Sequence, residues 1–506
     1  MHLMIRNLFL SLAVTLSGFA TVRAEEAKAA PVPVATPEVK ADETPRVVRV
    51  NVTTQNWDFL RPWGKRQPFT RRAVGAVLSG KRVLVSAELV GNANYIEFEM
   101  PEGGRKTPAT IEVVDYECNL AVLKGEDDKF LNGFRSFDFG EAKVGDMLDV
   151  WQLENTGVVL VTSGPLTTVE VSRYPIDESS FLVYRATASI QFRDSSFTLP
   201  AIKGGKLVGL VVRYENSSNS AEIIPSPVIQ HFLKDAAKAP YEGFPRTGMG
   251  FSNTRDPQLR RYVNINGSGG VYVTQVLPDS PASQAGIKQG DIILSIDGKA
   301  IDQDGNYVDA TYGKIALIHL VAGQHYVGDS LKFEIQRDGK KQDIEVKLAH
   351  RNPEDFVIEP YVIDRAPKFY ILGGLVLQEL SRQYLKDFGN DWLKRAPAEF
   401  IYMDRYQHDL FEKGPKKIVI LSRVLPMPST IGYEELHHLR VTRINGVELQ
   451  SLEDVPGALE KPENGVHRIE FDTDPGVIFI EAGPLAVDEK ALIQTYRLPA
   501  TMRLKN

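Results

Sequence analysis

Two adjacent serines, Ser195 and Ser196, lie in an irregular stretch, residues 187–199, between a strand-like segment (181–185) and a hairpin turning at 203–206. A serine hydroxyl attacks a carbonyl only with a base in hydrogen-bond reach, usually histidine, and a third group to fix that base. The nine histidines are His2, His231, His319, His325, His350, His408, His437, His438 and His467, and none falls between residues 46 and 230. A Ser-His-Asp set cannot be assembled inside that stretch, and neither can a Cys-His pair. The single cysteine, Cys118, reads as a buried strand residue. His319 and His325 lack a nearby third ligand, and the neighbours His437 and His438 point apart and read as surface residues. No metal and no cofactor is expected.

The elements that must position these groups follow from periodicity. Between residues 46 and 236 the chain breaks into short apolar segments separated by turn residues, the pattern of a sandwich or barrel, with one helix near 226–237. Residues 279–301, DSPASQAGIKQGDIILSIDGKAI, read as a capped short helix, a turn, a strand and a hairpin turn at Asp297-Gly298. Residues 305–323 carry apolar residues spaced as a buried helix, and Asn445-Gly446 is the strongest short hairpin signal. Strands are expected near 418–423, 441–444, 471–474 and 477–481, and a helix over 451–459.

Length and composition bound the rest. At 506 residues with 43% hydrophobic content the chain holds about three domains. A net charge of −6 argues against a nucleic-acid partner. Arg6, an apolar run over 8–20 and Val22-Arg23-Ala24 form a signal-peptide pattern, with removal expected after Ala24. The apolar run is too short to span a bilayer, so no integral membrane segment is expected after removal. Residues 25–45, rich in Ala, Pro, Glu and Lys, read as a disordered linker.

Three segments resemble, in order, the catalytic segments of the HtrA/Deg serine proteases: VLSGKRVLVSAELV (77–90), DYECNLAVLK (115–124) and IQFRDSSFTLPAIKGGKLVGLVV (190–212). The resemblance implies a chymotrypsin-like double β-barrel over 46–236, followed by two PDZ-type domains over 240–350 and 353–506. The chain is therefore expected to be mostly β. On the family's motifs the catalytic histidine position holds Glu88, the aspartate position Asn119 and the serine position Ser195. No glycine occurs from Ala186 to Ile202, where the family builds its oxyanion turn from glycines, so the site reads as degenerate. TGMGF (247–251) resembles the family's carboxylate-binding loop, and Gly248, Met249, Gly250 and Phe251 are the expected peptide-binding residues. In the third region, Gly373-Gly374 is read as a further carboxylate loop, and residues 384–388 and 404–411 as insertions covering its groove. That region is similar to the second PDZ domain of the Deg2/Deg9-like subgroup.

The expectation from these residues is an exported pseudoprotease, periplasmic or secreted, that binds peptide C-termini or unfolded proteins in protein quality control. The family implies a homo-oligomer, or a mixed one with an active paralogue. The alternatives are a working serine endopeptidase using Ser195 or Ser196 with Glu88 or a donated histidine as base, and a scaffold with closed grooves.

Overall fold

The computed structural model describes residues 38–39 and 45–505, apart from 178, 191–197, 266 and 412. The molecule is mostly β: a trypsin-like fold of two closed barrels, followed by two PDZ domains. Six strands close the first barrel in the order β1-β2-β3-β6-β5-β4: β1 (Val47–Thr54), β2 (Phe69–Leu78), β3 (Arg82–Val85), β4 (Ala93–Glu99), β5 (Lys106–Asp115) and β6 (Leu120–Gly125). The runs 73–78, 83–85 and 120–123 are continuously apolar because both faces are buried, while β4 and β5 expose polar residues. Val83, Val85, Ala121 and Leu123 fill the barrel. Their alternates Leu84, Leu120 and Val122 face the second barrel. Gly75 permits the close strand packing, since a Cβ there would stand 2.3 Å from Val83 Cγ1.

The second barrel runs β8-β9-β12-β11-β10-β7 and closes through β7–β8. Its strands are β7 (Met147–Leu153), β8 (Val159–Arg173), β9 (Ser180–Thr187), β10 (Leu199–Lys203), β11 (Lys206–Glu215) and β12 (Ser220–Pro225). Glu38–Val39, inside the stretch expected to be unstructured, pairs with β8. The helix Ser226–Ala236 closes the barrel.

The first PDZ sheet is β13-β14-β15-β18-β19: β13 (Met249–Ser252), β14 (Val271–Val276), β15 (Ile292–Ile296), β18 (Ser330–Arg337) and β19 (Lys340–Lys347). Residues 305–323, read as one helix, instead form a hairpin, β16 (Asn306–Asp309) and β17 (Gly313–Ala316), and only then the short helical turn His319–Gly323. Tyr307 and Ile315 are buried from strand positions, so apolar spacing mistook alternate strand residues for one helix face. This domain shares one continuous core with the second barrel.

The third region holds the sheet β25-β24-β23-β22-β21-β20-β26: β20 (Phe369–Leu372), β21 (Leu375–Glu379), β22 (Val419–Val424), β23 (Leu439–Ile444), β24 (Val466–Phe471), β25 (Val477–Glu481) and β26 (Met502–Arg503). The strand expected over 471–474 lies earlier, as β24, and residues past Phe471 turn. Asn445 and Gly446, both at positive φ, make the expected hairpin turn after β23.

Candidate functional site

Two concave sites lie along the chain. The first is the barrel cleft. Glu88 is exposed on the single-turn helix Ala87–Val90, and its N–H donates to Asn119 Oδ1 at 2.8 Å. Asn119 is fully buried and at φ +55, with its Nδ2 unpartnered among the described residues. Ser86 Oγ lies 2.6 Å from Thr198 Oγ1, which ties the third segment to the first. The structure thus brings Glu88 and Asn119 together, while Ser195 and Ser196 lie outside the described residues. Cys118 is buried as expected, but in the turn between β5 and β6 rather than in a strand.

The outer side of this cleft is covered by the third region. The Asn92 N–H donates to Asp364 Oδ1 (2.6 Å), the Asp364 N–H returns to Asn92 Oδ1 (2.9 Å), and the Tyr116 hydroxyl donates to the same carboxylate. Tyr361 and Ile363 pack over buried Ala87, Tyr116 and Ile176. Asp387 pairs with Arg66 at 2.9 Å and accepts the Phe59 N–H at 2.8 Å. Glu88 is left facing a cavity of about 150 Å³ walled partly by Val362, Ile363, Gln383 and Asp387.

The second site is larger, about 680 Å³. Its floor is β13, whose outer edge pairs with no other strand among the described residues. Gly248 opens that strand at φ +71, where a Cβ would meet Ser280 Cβ at 2.3 Å, so only glycine lets the loop lie against the helix cap. Ser280 in turn accepts the Ser283 N–H and caps the helix Pro281–Gln284. Leu317, Ile318, Val321 and Ala322 form the facing apolar wall. All four residues expected to bind peptide, Gly248, Met249, Gly250 and Phe251, line this cavity.

A charged joint fixes the groove to the barrel. Arg246, which lines the groove, bridges Glu117 at 2.9 Å and Asp177 at 3.0 Å. His350 Nε2 lies 3.1 Å from Glu117, and the Tyr241 hydroxyl donates to Asp115. Burial, then the charge of Glu117, pushes the Asp115 carboxyl up to about 6. Burial disfavours the Glu117 charge, but Arg246 and His350 outweigh it and hold its carboxyl below the usual range. His231, expected away from the cleft, stacks between Phe244 (4.5 Å) and Tyr326 (4.0 Å), and burial lowers its pKa to about 4.

In the third region the sequence reading needs correction. Gly373 and Gly374 form no carboxylate loop; they are the two-residue turn between β20 and β21. Their carbonyls accept bonds from Ser429 Oγ (2.6 Å) and the Leu425 N–H (2.8 Å). Tyr384 and Leu385 are core residues packed with Phe59 and Phe400. The helix Ala398–Leu410 shares a core with Leu380 and Ile420 of the third region through Phe400 and Met403, and it also brings His408 to the first PDZ groove. His437 is exposed as expected, but His438 is half-buried among Tyr384, Phe388 and Phe400. Arg351, Phe356 and Asp364 drew no attention in the sequence. Arg351 and Phe356 line the first PDZ groove and Asp364 meets Asn92, placements that no local pattern marks.

PDZ domain families match residues 245–348 and 358–503. "Protease Do-like 2, chloroplastic" of Arabidopsis thaliana is 27% identical over 462 residues, covering 90% of this chain and 74% of that protein. "Protease Do-like 4, mitochondrial" of the same plant is 24% identical, covering 90% and 84%. "Periplasmic serine endoprotease DegP" of Escherichia coli (strain K12) is 24% identical over 296 residues, covering 56% and 58%. Among solved structures, "HtrA-type protease AlgW with decapeptide" is 18% identical with a TM-score of 0.47, covering 61% of this chain and 97% of that one. These relatives support a place for the chain in the HtrA/Deg family, with two PDZ domains. They are chloroplastic, mitochondrial or periplasmic. No helix among the described residues is long and apolar enough to cross a membrane.

Proposed function

We propose that this chain is an exported, non-cleaving Deg-like protein of the Deg2/Deg9-like subgroup. It holds peptide C-termini or unfolded segments in the groove of its first PDZ domain, as part of protein quality control. The observation that carries the reading is β13, an edge strand over a cavity of about 680 Å³. A peptide adding as a strand there gains main-chain hydrogen bonds, and the N–H groups of Met249, Gly250 and Phe251 receive its terminal carboxylate. Three features support catalytic silence. An exposed glutamate stands at the histidine position, an asparagine at the aspartate position, and no histidine occurs between residues 46 and 230. Assembly as a homo-oligomer, or with an active paralogue, fits this reading as it does the family.

Casein degradation tests it, using protein that lacks residues 1–24 beside a Ser195→Ala/Ser196→Ala double variant. The expected result is no cleavage and no labelling by a fluorophosphonate. Cleavage that disappears in the double variant would overturn the reading in favour of an endopeptidase with an unusual base.

A further inference from the structure

The groove of the first PDZ domain is not built by that domain alone. The barrel contributes Ser179–Phe181, the link after the first PDZ domain contributes Arg351, and the third region contributes Asp355, Phe356 and His408 to the same cavity. This outer wall is firmly held. Lys417 Nζ donates to the carbonyls of Glu354 (2.8 Å) and Phe356 (2.9 Å) and pairs with Glu359 at 2.8 Å. Gln407 Oε1 accepts the Ile358 N–H at 3.0 Å, and Gln275 Nε2 donates to Asp409 at 2.6 Å, which ties the helix bearing His408 to β14.

Within the wall three side chains lie in a row, with the Phe356 and His408 rings tilted at 57° to each other. The Arg351 guanidinium lies 4.1 Å from the Phe356 ring centroid, and the Phe356 and His408 rings are 6.1 Å apart. Arg351 is half-buried, and its guanidinium donates to the Asp355 carbonyl at 3.0 Å. No carboxylate lies within ion-pair distance of it among the described residues. The nearby Arg246 differs, being matched by Glu117 and Asp177. Two carboxylates also line the cavity. That of Asp355 accepts the Asn352 N–H (3.2 Å) as the cap of its own turn, and Asp279 stands exposed at the mouth.

A half-buried guanidinium set over an aromatic ring, with only the Asp355 carboxylate acting on it from beyond ion-pair distance, keeps donors free to receive a carboxylate. We propose that Arg351 is a specificity-determining residue of the peptide groove, reading an acidic side chain near the C-terminus of the bound peptide. The inference rests on the groove reading above and names the class of peptide it takes.

The test uses the full chain and two matched decapeptide libraries with free C-termini, one carrying Glu among the last four residues and the other Gln in its place. Wild type should prefer the Glu set by about tenfold, and the preference should shrink as salt is raised. Arg351→Gln should abolish the preference while keeping the melting temperature. Arg351→Lys should keep part of it. Equal affinity of wild type for both sets, or a preference intact in Arg351→Gln, overturns the assignment of Arg351. Binding of neither set would contradict the groove reading itself, so the two failures are distinguishable.

Discussion

The strands that floor the two PDZ sheets sit in different surroundings. In the first domain Met249–Ser252 is an edge, paired only with β14 and open toward a large cavity. In the second, Leu375–Glu379 is interior: β22 takes one side, the chain's own β20 takes the other, and β26 extends the sheet beyond it. An unpaired edge attracts another strand, and the third sheet has already supplied one from within. Two domains of related architecture thus differ at the same strand, one edge left open and the other completed from within.

The sharpest way to break this comparison is to fill each turn in its own domain. Gly248→Val places a Cβ against Ser280 in a left-handed backbone position. Peptide affinity should fall by about 100-fold in a calorimetric titration. Gly374→Val would set a Cβ 2.4 Å from the Leu425 carbonyl. It should lower the melting temperature of the third region and leave peptide affinity unchanged.

The first domain alone leans on His231. Its pKa is lowered toward 4, below the unfolded value, so the unfolded chain binds the extra proton as pH falls. The contribution of His231 is therefore full above about pH 6.5 and is lost toward pH 4, by about 2 kcal/mol at pH 5. In His231→Phe the drop in melting temperature between pH 7 and pH 5 should shrink, and an unchanged drop would dismiss this residue as the cause.

The Asp364 contact should matter to the barrel more than to the peptide. Asp364→Ala strands the Asn92 N–H and the Tyr116 hydroxyl, a cost of about 1–2 kcal/mol. Hydrogen exchange over residues 86–92 should quicken, with peptide affinity held. The smallest effect is expected from Met502→Pro, which disturbs the pairing of β26 with Tyr370 at the outer edge. A loss of about 1 kcal/mol in stability, with no change in binding, would fit an edge that only finishes the sheet.

Local chemistry made much of the fold legible. The Ser280–Pro281 helix start, the Asn445-Gly446 turn and the valine-rich barrel strands all follow from backbone preference and two-sided burial. The loop from Gly248 to Phe251 was marked by its resemblance to the family's carboxylate-binding loop, and the structure adds a steric cause for its glycine in the neighbouring turn. What stayed hidden depends on sequence-distant contact. Gly373-Gly374 looks like a carboxylate loop until β20 and β21 are seen paired across it. Arg351 and Asp364 gain meaning only when residues of the third region close on the first PDZ groove and on the barrel. The 305–323 segment failed by period, since a hairpin and a short helical turn together imitate one apolar helix face.

The most direct test of peptide capture by the first groove compares one decapeptide as free acid and as C-terminal amide, titrated into the full chain. If the N–H groups following Gly248 receive the terminal carboxylate, amidation should weaken binding by at least about tenfold. Equal affinity for acid and amide would contradict the account, because strand addition at β13 would then have no carboxylate anchor.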